Sequence, residues 1–136
     1  VVGARHAWDR PAVRIAGVAA VLEIARAIPA ASQRRDLVLV ITDAEEQGLV
    51  GARALYAPGA AADPIAGRTG VMINLEARGG GGRTMMFQTG PNNANLVRLL
   101  AQSSPQAAAS SIAVTIYESL PNDTDFTPVL KRGIAG

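Results

Sequence analysis

Two short, mainly apolar runs along this chain each stop at acidic residues. Residues 37–41 (LVLVI) are unbroken and rich in β-branched side chains, which predicts a strand buried on both faces. Residues 71–75 (VMINL) predict a second buried strand. An amphipathic helix is predicted before the first run, and Pro29 ends it. The apolar positions on one face of that helix are Val18, Val21, Leu22, Ala25 and Ile28.

The rest of the pattern predicts shorter elements. The predicted strands are a strand end at residues 1–3, a strand at residues 85–87 and a strand that begins at Ile134. The predicted helices lie at residues 49–56, around Leu96, Leu99 and Leu100 behind a cap at Asn92 or Asn93, and around Pro128, which a first helical turn tolerates. Residues 111–117 are predicted to be extended or mixed. Strands that alternate with helices favour an α/β fold with a largely parallel sheet. No internal repeat or linker divides residues 1–136, so we expect a single domain.

Acidic residues follow both predicted strands. Asp43, Glu45 and Glu46 follow the first strand after Thr42, and Glu76 directly follows the second. Open α/β sheets build ligand sites at the carboxyl ends of their strands, so Glu45, Glu46 and Glu76 share one rim if the strands are neighbours. One of two adjacent glutamates can then hold a cation while the other takes a proton from a bound water. The alternative is that the pair only complements the dipole of the following helix.

Composition excludes several other functions. The net charge is +2, from 13 basic and 11 acidic residues that are scattered along the chain, so we expect no nucleic-acid partner. The absence of cysteine excludes disulfides and thiolate metal sites and leaves the compartment open. We expect no membrane segment in this chain, because no apolar run is long enough to span a bilayer.

The acidic segment resembles a known family. TDAEEQGLVGA resembles the T-D-x-E-E-x-G-L-x-G segment of the zinc-dependent aminopeptidases of clan MH, and INLEARG resembles the family's next segment, N-L-[DE]-x-x-G. FQTGPNNANLV and LPNDTDFTPVLKRGIAG are similar to the sub-group of endoplasmic-reticulum and vacuolar membrane metallopeptidases. GVAAVLEIARAI is similar to the helix after the family's first metal-binding loop. The resemblance runs in order over roughly residues 16–136.

The resemblance implies a fold, an activity and a set of site residues. The fold would be a mixed, largely parallel sheet flanked by helices in a three-layer sandwich, of which residues 1–136 form one partial catalytic domain. The activity would be hydrolysis of N-terminal peptide bonds in peptide substrates, with zinc ions at the sheet rim. By position, Glu45 matches the general base, and Glu46 and Glu76 match zinc ligands. Asp43 would support the turn. Asp123 matches an acid near the substrate end of the site, which would position the substrate or support a metal ligand.

The chain departs from the family pattern at the first and last metal ligands. The family's His-x-Asp becomes a wider spacing here, which leaves His6 and Asp9 as the candidate ligands of this loop. Val13 stands where the resemblance expects an aspartate that bridges two zinc ions. The family's final histidine would follow Ile134, beyond the sequence given. We therefore expect this chain to hold at most one zinc ion, weakly.

Two further functions stay open at this stage. The chain could be a catalytically impaired member of the fold that serves as a scaffold or interaction domain. It could also be a single-zinc acyltransferase similar to glutaminyl cyclase. Members of the family are often secreted, periplasmic or membrane-associated, and the sequence leaves compartment, substrate specificity and oligomeric state undetermined.

Overall fold

The computed structural model describes residues 2–3, 11–56, 63–76 and 83–136. The helices are α1 (Pro11–Ala27), α2 (Val50–Tyr56), α3 (Ala94–Ser103), α4 (Ser111–Ser119) and α5 (Thr127–Leu130), with 3-10 turns at Ala30–Ser32 and Ala66–Arg68. The strands are β1 (Val2–Gly3), β2 (Ile73–Asn74), β3 (Met85–Met86) and β4 (Ala108–Ala109). Helices combined with short strands are consistent with the predicted α/β class.

All strand pairs of the described residues are parallel. β1 pairs with β2 in the register Val2↔Ile73, and β3 pairs with β4. Val71 forms a further parallel bridge with Ala135, where the Met72 N–H donates to the Ala135 carbonyl at 2.9 Å. The parallel orientation agrees with the prediction, and the strand predicted to begin at Ile134 is present as this bridge. The mixed sheet and the three-layer sandwich remain predictions.

The two predicted strands are shorter than expected and neither is buried on both faces, which corrects the sequence interpretation. Residues 37–41 contain only a bridge residue at Leu39, and residues 71–75 contain β2 and the bridge at Val71. In residues 71–75, Met72 is buried whereas Val71 and Ile73 are 41% and 56% exposed. Residues 37–40 are half-buried, and Ile41 is 57% exposed. β-branched residues suit a half-covered sheet as well as a fully covered one, so an apolar run alone cannot distinguish the two.

The prediction that residues 37–41 and 71–75 are neighbouring strands of one sheet is also wrong. The parallel partner that the structure shows for Ile73 is Val2 of β1, and not residues 37–41. The two runs are nevertheless packed under the same helix, because Leu39 and Leu75 both contact the fully buried Val21 of α1.

Helix α1 begins at Pro11, six residues before the apolar spacing became clear at Gly17. Proline is favoured in the first helical position, where its missing N–H is not needed. Among the residues predicted to share the buried face, Val21 is fully buried but Leu22 is 54% exposed.

A second hydrophobic core joins α2 and α5 to the residue that precedes β2. Its buried members are Tyr56, Ala66, Met72, Phe126 and Val129. The predictions of α2, α3 and α5 are confirmed to within a few residues, including the position of Pro128 in the first turn of α5. This core fixes the last part of the chain against the helix that follows the acidic residues.

The prediction of an extended or mixed segment at residues 111–117 is wrong, since this segment lies in helix α4. The side chain of Ser110 accepts a hydrogen bond from the Ile112 N–H at 3.2 Å and so caps the helix. This cap outweighs the strand preference of the β-branched residues that follow. Asn93 occupies the N-cap position of α3, but its side chain binds the carbonyls of Gly90 and Gly136 instead of capping the helix. Within the described residues, no helix is both long and apolar enough to cross a membrane.

Candidate active site at the acidic turn

Residues 42–49 form a tight turn, here called the acidic turn, between the first apolar run and α2. Two of its hydrogen bonds converge on Glu45, whose backbone carbonyl accepts from the N–H groups of Gly48 (3.0 Å) and Leu49 (2.8 Å). The carbonyl of Ala44 accepts from Val50 at 3.2 Å. These bonds fold the turn directly onto the start of α2.

Two residues of the acidic turn that are not glycine have a left-handed backbone. Ala44 has φ 55° and Leu49 has φ 61°. This conformation is unfavourable for residues with a Cβ and is retained where the surrounding contacts enforce it, frequently at functional sites. Ala44 directly precedes Glu45, so the strained residue sets the direction in which the Glu45 side chain leaves the backbone.

The two adjacent glutamates differ in solvent exposure. Glu45 is only 6% exposed, whereas Glu46 is exposed. Buried carboxylates are uncommon in proteins unless they are partnered or functional. Glu45 thus lies inside the protein and Glu46 at its surface, and the division of labour between them stays a prediction.

Asp43 lies inside the turn. Its Oδ1 accepts a hydrogen bond from the Ala44 N–H at 2.7 Å, and its carbonyl accepts from the Gly51 N–H at 3.1 Å. A Cβ at Gly51 would stand 2.9 Å from both the backbone nitrogen and the backbone oxygen of Asp43. Only glycine therefore allows α2 to approach the turn this closely.

A distant part of the chain also reaches the acidic turn. The hydroxyl of Thr42 donates to Oδ2 of Asp125, which is 1% exposed. The neighbouring Thr124 is fully buried and donates to Oε1 of Gln88 at 3.0 Å. Its hydroxyl also accepts from the Phe126 N–H at 3.2 Å. The segment before α5 is thus fixed on both sides, with Asp125 facing the turn.

The sequence does not single out Asp125 as a site residue. It assigns the acid at the substrate end to Asp123, which the structure places at the exposed surface. The signal in the sequence is that Asp125 directly precedes the apolar Phe126 and lies four positions before the apolar Val129. The structure places both of these residues in the core. The role implied for Asp123 stays a prediction.

The structure does not bring the remaining predicted metal ligands together in a group of three or more within the described residues. Glu76 is half-buried, and its Oε1 accepts from the Asn74 amide at 3.1 Å. Within the described ranges, no three or more histidine, cysteine, aspartate or glutamate side chains form a group that could hold a metal ion. His6 and Asp9 lie outside the described residues. Catalytic zinc normally has three protein ligands, so the described residues do not by themselves fit a zinc ion.

Comparison with known proteins identifies the family. Residues 16–136 match the model of peptidase family M28. The chain belongs to this family, which confirms the resemblance to clan MH peptidases drawn from its motifs.

Several curated relatives support the same assignment. The mouse (Mus musculus) protein "Endoplasmic reticulum metallopeptidase 1" is 34% identical over 112 residues, which are 79% of this chain and 12% of the relative. The human (Homo sapiens) protein of the same name is 32% identical over 109 residues, covering 77% of this chain and 12% of the relative. "Vacuolar membrane protease" of Schizosaccharomyces japonicus is 31% identical over 124 residues, covering 88% of this chain and 14% of the relative. The chain thus spans about an eighth of the length of these relatives. No solved structure matches the chain at a significant level.

Proposed function

We propose that this chain carries the acid–base residue of a zinc-dependent peptidase of the aminopeptidase type, which hydrolyses N-terminal peptide bonds. The observation that carries the proposal is the burial of Glu45 on a strained turn directly after an apolar run, in a chain that belongs to a peptidase family. The names of the relatives, a metallopeptidase and a membrane protease, agree with this class of reaction.

Glu45 would act as the general base. Its carboxylate would take a proton from the water that attacks the scissile carbonyl and would then give that proton to the leaving amine. A base must keep a fixed position relative to the water through both transfers. The turn supplies this fixation, because the Glu45 carbonyl holds Gly48 and Leu49 while Ala44 sets the direction of the chain.

The metal part of the proposal rests on the family and not on the described geometry. The family is generally metal-dependent, with zinc as the usual ion. Glu46 and Glu76 remain the proposed ligands of this chain, with His6 and Asp9 as candidates outside the described residues. We therefore assign no catalytic step to a metal here, and we retain the expectation of at most one weakly held ion.

The roles proposed for the other two acids rest on the family resemblance, and for Asp43 also on its position in the turn. Asp43 would stabilise the turn, since its carboxylate binds the Ala44 N–H. Asp123 would act at the substrate end through its exposed carboxylate. The substrate would be a peptide with a free N-terminus. Because the chain matches only 12% of the length of the mouse relative, the activity of a whole protein is also proposed and not established.

A panel of three substrates with and without added zinc tests the proposal. An aminoacyl nitroanilide reports aminopeptidase activity, a blocked peptide nitroanilide reports endopeptidase activity, and a glutaminyl peptide reports cyclisation. We expect hydrolysis of the aminoacyl compound alone. Cyclisation without hydrolysis would favour the glutaminyl cyclase-like alternative, and no turnover of any substrate would favour the non-catalytic scaffold.

A further inference from the structure

The hydrogen bond between Thr42 and Asp125 joins two segments that lie 83 positions apart in the sequence. Thr42 is the first residue of the acidic turn, and Asp125 precedes α5 by two positions. We infer that Asp125 is a positioning residue that holds the acidic turn, and with it Glu45, through the hydroxyl of Thr42. The inference rests on the proposed function only in naming Glu45 as the group that is positioned.

Burial makes this contact more than a surface hydrogen bond. Asp125 is 1% exposed and Thr42 is half-buried, so water competes little for the bond. Removing the hydroxyl would take one hydrogen-bond donor from a buried carboxylate. The resulting loss of stability is larger than the net stability that the hydrogen bond contributes.

The surroundings of Asp125 make it a rigid support. Thr124 is fully buried and bound to Gln88, and Phe126 and Val129 belong to the second core. The carboxylate of Asp125 thus has little freedom to move on its own. A group that holds another residue in place needs such a rigid base of its own.

The turn, in contrast, depends on outside support. Its backbone contains left-handed Ala44 and Leu49, which are unfavourable without contacts that enforce them. Four amides report whether the turn keeps its conformation, because their N–H groups donate only to carbonyls of the turn in its folded form. They belong to Gly48, Leu49, Val50 and Gly51.

Amide hydrogen exchange of the full 136-residue chain tests the inference without any need for turnover. Thr42→Val keeps the size of the side chain and removes the donor, and Thr42→Ser keeps the donor. In Thr42→Val we expect the four turn amides to exchange at least about ten-fold faster, as expected when a buried acceptor loses a hydrogen-bond donor, while the amides of α3 stay unchanged. Thr42→Ser should retain the protection of the wild type.

Matched variants separate positioning from a general loss of stability. Thr115→Val removes an exposed threonine hydroxyl that donates to the Ser111 carbonyl in α4, and it should leave the turn amides unchanged. Asp125→Ala removes the acceptor and should accelerate the same four amides as Thr42→Val, whereas Asp36→Ala removes an exposed carboxylate paired with Arg68 and should not.

Two results would overturn the inference. One is unchanged exchange of the turn amides in Thr42→Val, and the other is equal acceleration of the turn and α3. If Asp125→Ala fails to fold, the comparison of Thr42→Val with Thr42→Ser still decides the question. If the exchange results hold and the chain hydrolyses no peptide substrate, the positioning contact stands and the proposed function fails.

Discussion

Gly51 lies so close to Asp43 that a Cβ on it would stand 2.9 Å from two backbone atoms of Asp43. This approach sets the start of α2 against the turn that carries Glu45. This chain therefore requires glycine at position 51 for a steric reason, which is independent of any chemistry at the neighbouring glutamates.

Gly51→Ala should destabilise the protein by about 1–3 kcal/mol, the usual cost of forcing an extra group into a packed position. Urea unfolding measures this free energy. Gly70→Ala is the matched control, since a Cβ there meets nothing within 4 Å, and it should change stability by less than about 0.5 kcal/mol. Equal effects of both substitutions would contradict the close approach of α2 to Asp43.

Ala44→Gly should stabilise the protein by up to about 1 kcal/mol, because glycine removes the cost of a Cβ at φ 55°. Ala54→Gly places the same change in the exposed interior of α2 and should destabilise by about 0.5–1 kcal/mol. Thermal or urea unfolding of both variants gives the sign directly. Destabilisation of equal size at both positions would show that Ala44 is not strained.

Several features of the fold follow from local sequence signals. Periodic apolar residues with Pro29 predict most of α1, and Pro128 marks the first turn of α5. The start of α1 at Pro11 and the helix α4 are decided by residues at their N-termini, a proline and Ser110, and not by periodicity. Strand burial could not be predicted, because it depends on which other segments cover each face.

The site was predictable only in part for the same reason. Glu45 and Glu46 are recognisable from their position after an apolar run, and the structure gives them different environments. The contact of Asp125 with Thr42 depends on the packing of α5 against α2, a relation between distant segments that no local pattern contains.

Titrating zinc into the metal-free chain by calorimetry should show at most one weak site. Glu46 and Glu76 supply only oxygen ligands, and carboxylates without a histidine bind zinc weakly. Glu46→Gln should lower the affinity further, while Glu118→Gln, an exposed glutamate on α4, should not. Two tight sites in the wild-type chain would show that His6 and Asp9 complete the metal site.

The central claim is that Glu45 is the general base, and turnover of Glu45→Gln tests it most directly. Hydrolysis of an aminoacyl nitroanilide at saturating zinc should fall at least about 100-fold relative to wild type, because glutamine keeps the shape of the side chain but cannot accept the proton. Zinc affinity should stay nearly unchanged, and Glu118→Gln should retain the wild-type rate. Equal turnover of Glu45→Gln and wild type would contradict the claim.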